Sequence, residues 1–347
     1  MRNFRLSYLY VLAFLVVASG CKKEEEVPRG EFAVGVVVVN EGNFGDADGT
    51  FGFFDPTSST TTQDIYQEVN LEAVSGTFQS MFTYEDKSYL LDQSGNKIVV
   101  VEAETFKYIA TISDGLNVPR YMTVANGKGY VSNWGPYDAN YQTPDSFIAV
   151  IDLANYSVTK TLNSENGVEG MIALGLKVYV AASGTNKVQV IDSETDEFVD
   201  GINVANGPRL FAEDGNGRLW VLSNDYISSN LSKIDLTTNR VTSFETASSA
   251  KSIAANGDGS KIYYLCTPWG APARVYSIDN SASSAPLEAL ISGDNFYGLG
   301  VSPADETIYV GRSNGANNGT IIRYNADGTE LENFASGRFP NGFEFRK

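Results

Sequence analysis

The side chains best suited to chemistry here are arginines and aromatics, because the chain of 347 residues contains no histidine. That absence removes Ser-His-Asp catalysis, histidine-ligated zinc or iron, and a histidine general base. Arg120 and Arg209 share the context (V/G)PR. A guanidinium so placed either meets an amide or phosphate of a ligand or braces adjacent structure through carbonyl groups. Trp134 and Trp269 sit among proline and glycine in NWGPYDAN (133–140) and PWGAP (268–272). Loop aromatics of that size are either lids packed on neighbouring loops or walls for a flat, partly apolar ligand.

Other candidate chemistry is thin. Beyond Cys21 the only cysteine is Cys266, which ends an apolar run and is expected to be a small buried hydrophobe. GDADG (45–49) offers Asp46 and Asp48 in a glycine-rich turn, but the remaining ligands of a calcium loop are missing, so a plain loop is expected and no metal is assigned. Paired carboxylates, as in glycosidases, stay conceivable but cannot be located by spacing. No cofactor is called for.

The elements that would carry these residues repeat. GKGYVSN (127–133) recurs as KSYLLDQ (87–93), LKVYVAA (176–182), GRLWVLS (217–223), SKIYYLC (260–266) and ETIYVGR (306–312), with an apolar cousin GVVVVNE at 35–41. The aromatics Tyr89, Tyr130, Tyr179, Trp220, Tyr263 and Tyr309 follow one another by 41, 49, 41, 43 and 46 residues. A second strand follows each copy and ends, in the VID copies, in Asp152, Asp192, Asp235 or Asp279. Those aspartates are expected to close turns by accepting backbone N–H groups. With a polar outer strand such as VTKTLN (158–163) and an inner one such as PRYMTVAN (119–126), each unit has four strands and a period in the forties. That predicts an all-β, seven-bladed propeller of four-stranded antiparallel blades. No convincing helical period follows residue 30. Residues 35–70 lack an inner strand and RFPNGFEFRK (338–347) lacks everything else, so the two ends are expected to share one blade, which removes the open sheet edge.

In such a ring two loop sets share one rim. Phe44, Trp134, Tyr137, Tyr226, Trp269 and Arg312 belong to the loops after the aromatic-bearing strands. Phe78, Arg120, Arg209, Phe296, Tyr297 and Phe339 belong to the segments entering the inner strands. These twelve are the candidate ligand-binding residues. No catalytic residue is assigned.

The start of the chain sets the expected location. Arg2 and Arg5 precede the short apolar run YLYVLAFLVV (8–17), and ASGC (18–21) resembles the lipobox of bacterial lipoproteins, with Ala18 where leucine is commoner. Residues 1–20 are therefore expected to be a signal peptide, Cys21 the acylated residue, 21–30 a solvated tether and 31–347 the propeller. Lysine then acid in KKEEEVPRG (22–30) resembles the export signal of surface lipoproteins in Bacteroidetes-type bacteria. The full chain carries a net charge of −17, which argues against nucleic acid or an anionic membrane surface as partner.

The Tyr-Val and VID copies together resemble the YVTN-type seven-bladed propellers over residues 31–347. With the lipoprotein start and VVNEGNFG (38–45), the chain most resembles the Bacteroidetes propeller lipoproteins that bind corrinoids beside a TonB-dependent outer-membrane transporter. That resemblance implies a non-enzymatic capture protein, lipid-anchored on the outer membrane and facing the exterior, with a corrinoid as ligand and a TonB-dependent receptor as partner. A protein-binding scaffold or adhesin, and a carboxylate-dependent lactonase or glycosidase, are the rival classes.

Replacing the thiol tests the anchor. Cys21→Ser is expected to leave a folded protein that no longer partitions with membranes, because the acyl chains are gone. Continued lipid labelling in the membrane fraction would count against the assignment.

Overall fold

The computed structural model describes residues 29–225, 227–247 and 249–347. Cys21, most of the tether and Tyr226 lie outside the described residues. Seven four-stranded antiparallel sheets follow one another around an axis. We number the blades in chain order: blade 1 is 35–62 joined by 340–346, and blades 2 to 7 span 78–112, 119–163, 168–203, 208–245, 250–293 and 296–335.

The repeat residues explain why each blade forms. The aromatic of every copy is buried between sheets, from Tyr130, Trp220 and Tyr263 with no exposed surface to Tyr179 at 9%. Trp220 also donates its indole N–H to Asp214 Oδ2 at 2.8 Å, so a large apolar side chain is buried without orphaning its polar atom. The VID aspartates close turns as expected: Asp152 accepts from Ala154 N, Asp192 from Glu194 N, Asp235 from Thr237 N and Asp279 from Ser281 N, all at 2.8–2.9 Å. Cys266 is fully buried, its thiol pushed up to about 12 by desolvation, which makes it inert as a nucleophile.

One short helix, Ile65–Asn70, departs from the all-strand expectation. Six residues are too few to display a period. Asp64 caps it by accepting from Gln67 N at 3.2 Å. Ile65 and Tyr66 bury its inner side.

Closure occurs where the two chain ends meet. The inner strand of blade 1 is Pro340–Arg346, antiparallel to Gly35–Asn40 from Gly35 opposite Arg346 to Asn40 opposite Pro340. Phe343 and Phe345 lean on Tyr309 of blade 7 at 5.8 and 5.2 Å between ring centroids. Arg346 ties the strand to blade 2 through Ser88 Oγ at 3.0 Å and Ala103 O. Arg29 and Gly30 also bond Glu104 of blade 2, so the folded body takes in the end of the segment read as tether.

A feature of the inner strands decides the site. In all seven blades the pairing between inner strand and neighbour slips within the first residues, a β-bulge. The second residue of each inner strand is thereby left without a ladder partner: Gln79, Arg120, Glu169, Arg209, Lys251, Tyr297 and Asn341. A bulge bends its strand and re-aims the extra side chain. In six blades the residue just before the strand is left-handed, from Val118 and Phe339 at φ 52° and 53° to Gly167 and Gly207 at 71°.

Removing 338–347 would unpair Gly35–Asn40 and the face of blade 7 together. We expect the deleted chain to lose its monomeric fraction on size exclusion and to aggregate, since an unpaired apolar edge templates association. An intact monomer with unchanged melting temperature would contradict the closure.

Candidate functional site

Because the bulged residues are equivalent, they form a polar ring at one mouth of the axial channel. Side-chain bonds run around most of it. Tyr297 Oη donates to Glu41 Oε2 at 2.6 Å, and Gln93 Nε2 donates to Glu41 Oε1 at 3.2 Å. Arg120 donates through Nη1 to Gln93 Oε1 and through Nε to Glu169 Oε2 at 3.2 Å. Arg209 Nη1 donates to Glu169 Oε1 at 3.0 Å and its Nε to Asn224 O at 3.2 Å. The belt passes through blades 7, 1, 2, 3, 4 and 5 in spatial order.

Glu169 is the keystone of the belt on the blade 4 side. It is 3% exposed, and each carboxylate oxygen takes one arginine. The two (V/G)PR arginines therefore brace neighbouring blades. Of the two roles open to them, bracing is the one the bonds display: they meet through the Glu169 carboxylate between them, and Arg209 also reaches the Asn224 carbonyl of its own blade. Glu169 itself was not singled out in the sequence, although NGVEG (166–170) and NGPRL (206–210) align residue for residue and put the acid where its neighbours carry arginine. Gln79, Lys251 and Asn341 were missed for the same reason. Each is unremarkable until the seven strand starts are superposed.

The twelve predicted residues divide by depth. Arg120, Arg209 and Tyr297 are ring members. Trp134 is half-buried, with the Arg120 guanidinium 3.8 Å above its ring and Tyr137 edge-on at 6.0 Å. Its indole Nε1 is buried and meets no acceptor among the described residues. Phe339 lies 5.2 Å from Tyr297, ring to ring. Phe44 and Tyr137 are exposed on the rim loops, Trp269 is completely exposed, and Arg312, expected on a loop, is exposed within the strand Ile308–Asn314, opposite Phe296. Trp269 and Phe296 line one open cleft of about 570 Å³.

Phe78 and Phe296 correct the sequence reading in part. Each is the first residue of its inner strand and not a loop residue, so it turns into the packing between blades. Phe78 has no exposed surface and meets Phe51 edge-on at 4.7 Å, which removes it from any ligand surface. Phe296 is 4% exposed and offers only an edge to the Trp269 cleft.

Asp46 and Asp48 are already satisfied by a cation of the chain. Arg338 Nη1 contacts Asp46 Oδ2 at 2.8 Å and Asp48 Oδ2 at 2.6 Å, and Asn43 N donates to Asp48 Oδ1 at 2.7 Å. The side-chain hydrogen bond from Asn43, and then that from Arg338, hold the Asp46 carboxyl below its usual range. Among the described residues no group of three or more acidic or cysteine side chains is arranged to hold a metal ion.

Next to the ring the channel holds a cavity of about 270 Å³, lined by Tyr121, Leu210 and Lys251 and, further along the closing strand, by Phe343. Its far end carries Glu344, which accepts from Thr83 Oγ1 at 2.7 Å and Arg346 Nε at 2.9 Å. Burial pushes the Tyr121 phenol up to about 12 and Tyr297 higher still, so both rings of the mouth are neutral donors at physiological pH.

Fold and mouth together define a closed seven-bladed propeller whose one axial opening is ringed by preset polar groups and bordered by aromatics. Residues 34–345 match the family described as Domain of unknown function (DUF5074), and the chain belongs to that family. Known structures share the architecture. A quinonprotein alcohol dehydrogenase-like protein from Bacteroides thetaiotaomicron is 18% identical over 90% of this chain and 78% of that one, with a TM-score of 0.72. A Bacteroides fragilis protein provisionally termed a 6-phosphogluconolactonase is 10% identical over 91% and 99%, at 0.68. The hydrazine synthase of Kuenenia stuttgartiensis is 23% identical over 68% and 73%, at 0.56. At these identities the likeness extends to the fold alone. No protein of curated function matches the chain in sequence.

Truncating the keystone should be costly. Glu169→Ala leaves two guanidinium groups facing one another in a half-dry site, and we expect a loss of about 3 kcal/mol in denaturant unfolding. A loss below about 1 kcal/mol would mean the belt contributes no more than an exposed ion pair.

Proposed function

We propose that this protein captures a ligand across the ringed mouth of the propeller, with a corrinoid as the best candidate. In this reading the protein is held at the outer membrane through Cys21 and passes its ligand to a TonB-dependent transporter. The observation that carries the capture reading is the combination at one opening of a preset polar belt with Trp134, Tyr137 and Trp269 around it. Aromatic faces suit the flat, partly apolar body of a macrocycle, and the amide, guanidinium and phenol groups suit the polar substituents at its edge. A belt already bonded in the free protein loses little conformational entropy on binding.

The same belt weighs against hydrolytic catalysis. Glu41 and Glu169 are the carboxylates of the mouth, and each already accepts two donors. Neither is placed to act as an acid or base on a bound sugar or lactone.

Trp269 gives the cleanest test, because a fully exposed side chain can be removed without opening a cavity. Trp269→Ala is expected to weaken corrinoid binding by about 2 kcal/mol, roughly thirtyfold, with an unchanged melting temperature. Trp134→Ala should weaken binding and also lower stability by about 1–2 kcal/mol, because the guanidinium of Arg120 loses its aromatic face. Titration of both variants with cobalamin and cobinamide reads the two effects. No binding of either corrinoid by the unmodified protein would sink the corrinoid reading, and retention of a partner protein in their absence would favour the scaffold class.

A further inference from the structure

The belt of side-chain bonds reaches six blades, and the seventh position breaks it. Lys251, the bulged residue of blade 6, stands between Arg209 of blade 5 and Tyr297 of blade 7. Its ammonium lies 3.0 Å from the centre of the Tyr297 ring. No hydrogen bond or ion pair to Lys251 is formed among the described residues, so its three donors have only that aromatic face. Lys251 borders both the channel cavity and a second cavity of about 350 Å³ at the mouth, which Arg120, Arg209 and Glu169 also line. Three cations thus face one space with a single carboxylate, in a chain whose net charge is −17. Apart from Glu169, no aspartate or glutamate lines that space.

We infer that the channel mouth is an oxyanion site, in which a phosphate or carboxylate group of the ligand accepts hydrogen bonds from Lys251 and lies against Arg120 and Arg209. An ammonium in a partly dry cavity lacks acceptors, and an oxyanion supplies them as charge-assisted bonds. Tyr121 borders both cavities and Tyr297 borders the channel cavity beside Lys251, and both phenols are neutral. This inference rests on the capture reading and adds the chemical class of the group captured. Two sources share that chemistry: the phosphodiester of a complete corrinoid such as cobalamin, which cobinamide lacks, and a small free anion.

The site is expected to be pH-sensitive with a definite sign. Desolvation pulls the Lys251 ammonium down to about 8, and the Glu41 carboxylate, the charge that opposes this shift, only partly offsets it. The other groups facing Lys251 across the two cavities are the Arg209 and Arg120 guanidinium groups, Glu169, which is bound to both, the two neutral phenols and, at the far end of the channel cavity, Glu344. The binding form is the protonated one. Anion affinity is therefore full below about pH 8 and falls about tenfold for each unit above it.

Inorganic sulfate is the first probe, since its own charge does not change between pH 7 and pH 9. Titration of the full chain, followed by tryptophan fluorescence and calorimetry, should give binding at pH 7 that weakens about tenfold by pH 9. Lys251→Met should lose most of it with an equal or higher melting temperature, because an ammonium without acceptors is removed. Lys251→Arg should keep binding and lose the pH dependence. Absence of sulfate binding to the unmodified protein, or equal binding by Lys251→Met, would overturn the site. Cobalamin and cobinamide then distinguish the sources. A preference for cobalamin that vanishes in Lys251→Met assigns the phosphodiester. Sulfate binding with neither corrinoid bound keeps the anion site and discards the corrinoid. Corrinoid binding that is equal for the two ligands and indifferent to Lys251, with no sulfate bound, keeps the capture reading and discards the anion site.

Discussion

The pairing of Pro340–Arg346 with Gly35–Asn40 is the contact on which the remaining structure depends. A sheet of a propeller blade is stable only when both its faces are covered, so blades 1 and 7 need each other as much as any internal pair. Without that strand the ring has two apolar faces and no axis. With it, the seven strand starts converge on one opening, and Asn341 completes the ring of bulged residues. Closure and site are therefore the same event. The strand that seals the fold also supplies one of the side chains at the mouth.

The mouth is organised by a conflict between burial and charge. Bulges turn polar residues toward a narrow channel where water is scarce, and a polar group there must find a partner. Most do. Glu41 is held by a phenol and an amide, Glu169 by two guanidinium groups, and Arg120 also covers the Trp134 ring. The result is a rigid rim whose carboxylates are occupied. Lys251 is the place where this satisfaction stops short, its ammonium meeting only the face of Tyr297. The opposite end of the channel behaves differently, since Glu344 is paired with Thr83 and Arg346.

The family and the structural neighbours place this chain among propellers without choosing its ligand. The neighbours carry names as unlike as an alcohol dehydrogenase-like protein and a hydrazine synthase on one architecture. What distinguishes this molecule must lie in the seven mouth residues and the loops beside them. Those are a small fraction of the chain, and they lie outside the buried repeat that makes the fold recognisable.

The sequence by itself determined the fold almost completely, because six of the seven blades bury a repeat aromatic and four close a VID turn at a period in the forties. Tyr89, Tyr130 and Trp220 are alike in being almost wholly buried, and Asp152 and Asp235 make the same turn bonds, so local spacing carries the message. Arg120, Arg209 and Tyr297 were legible as rim candidates through their turn context. The bonding between blades was not. Glu169 lies 49 residues from Arg120 and 40 from Arg209 along the chain, and only the ring brings all three together. Phe78 and Arg120 occupy adjacent register positions of equivalent strands, yet one packs between blades against Phe51 and the other joins the ring of side chains at the mouth. The bulge that separates them is a property of strand pairing. A one-residue slip in register decides which side chain turns to the channel mouth, and register is fixed by the partner strand in space and is not written in the residue itself.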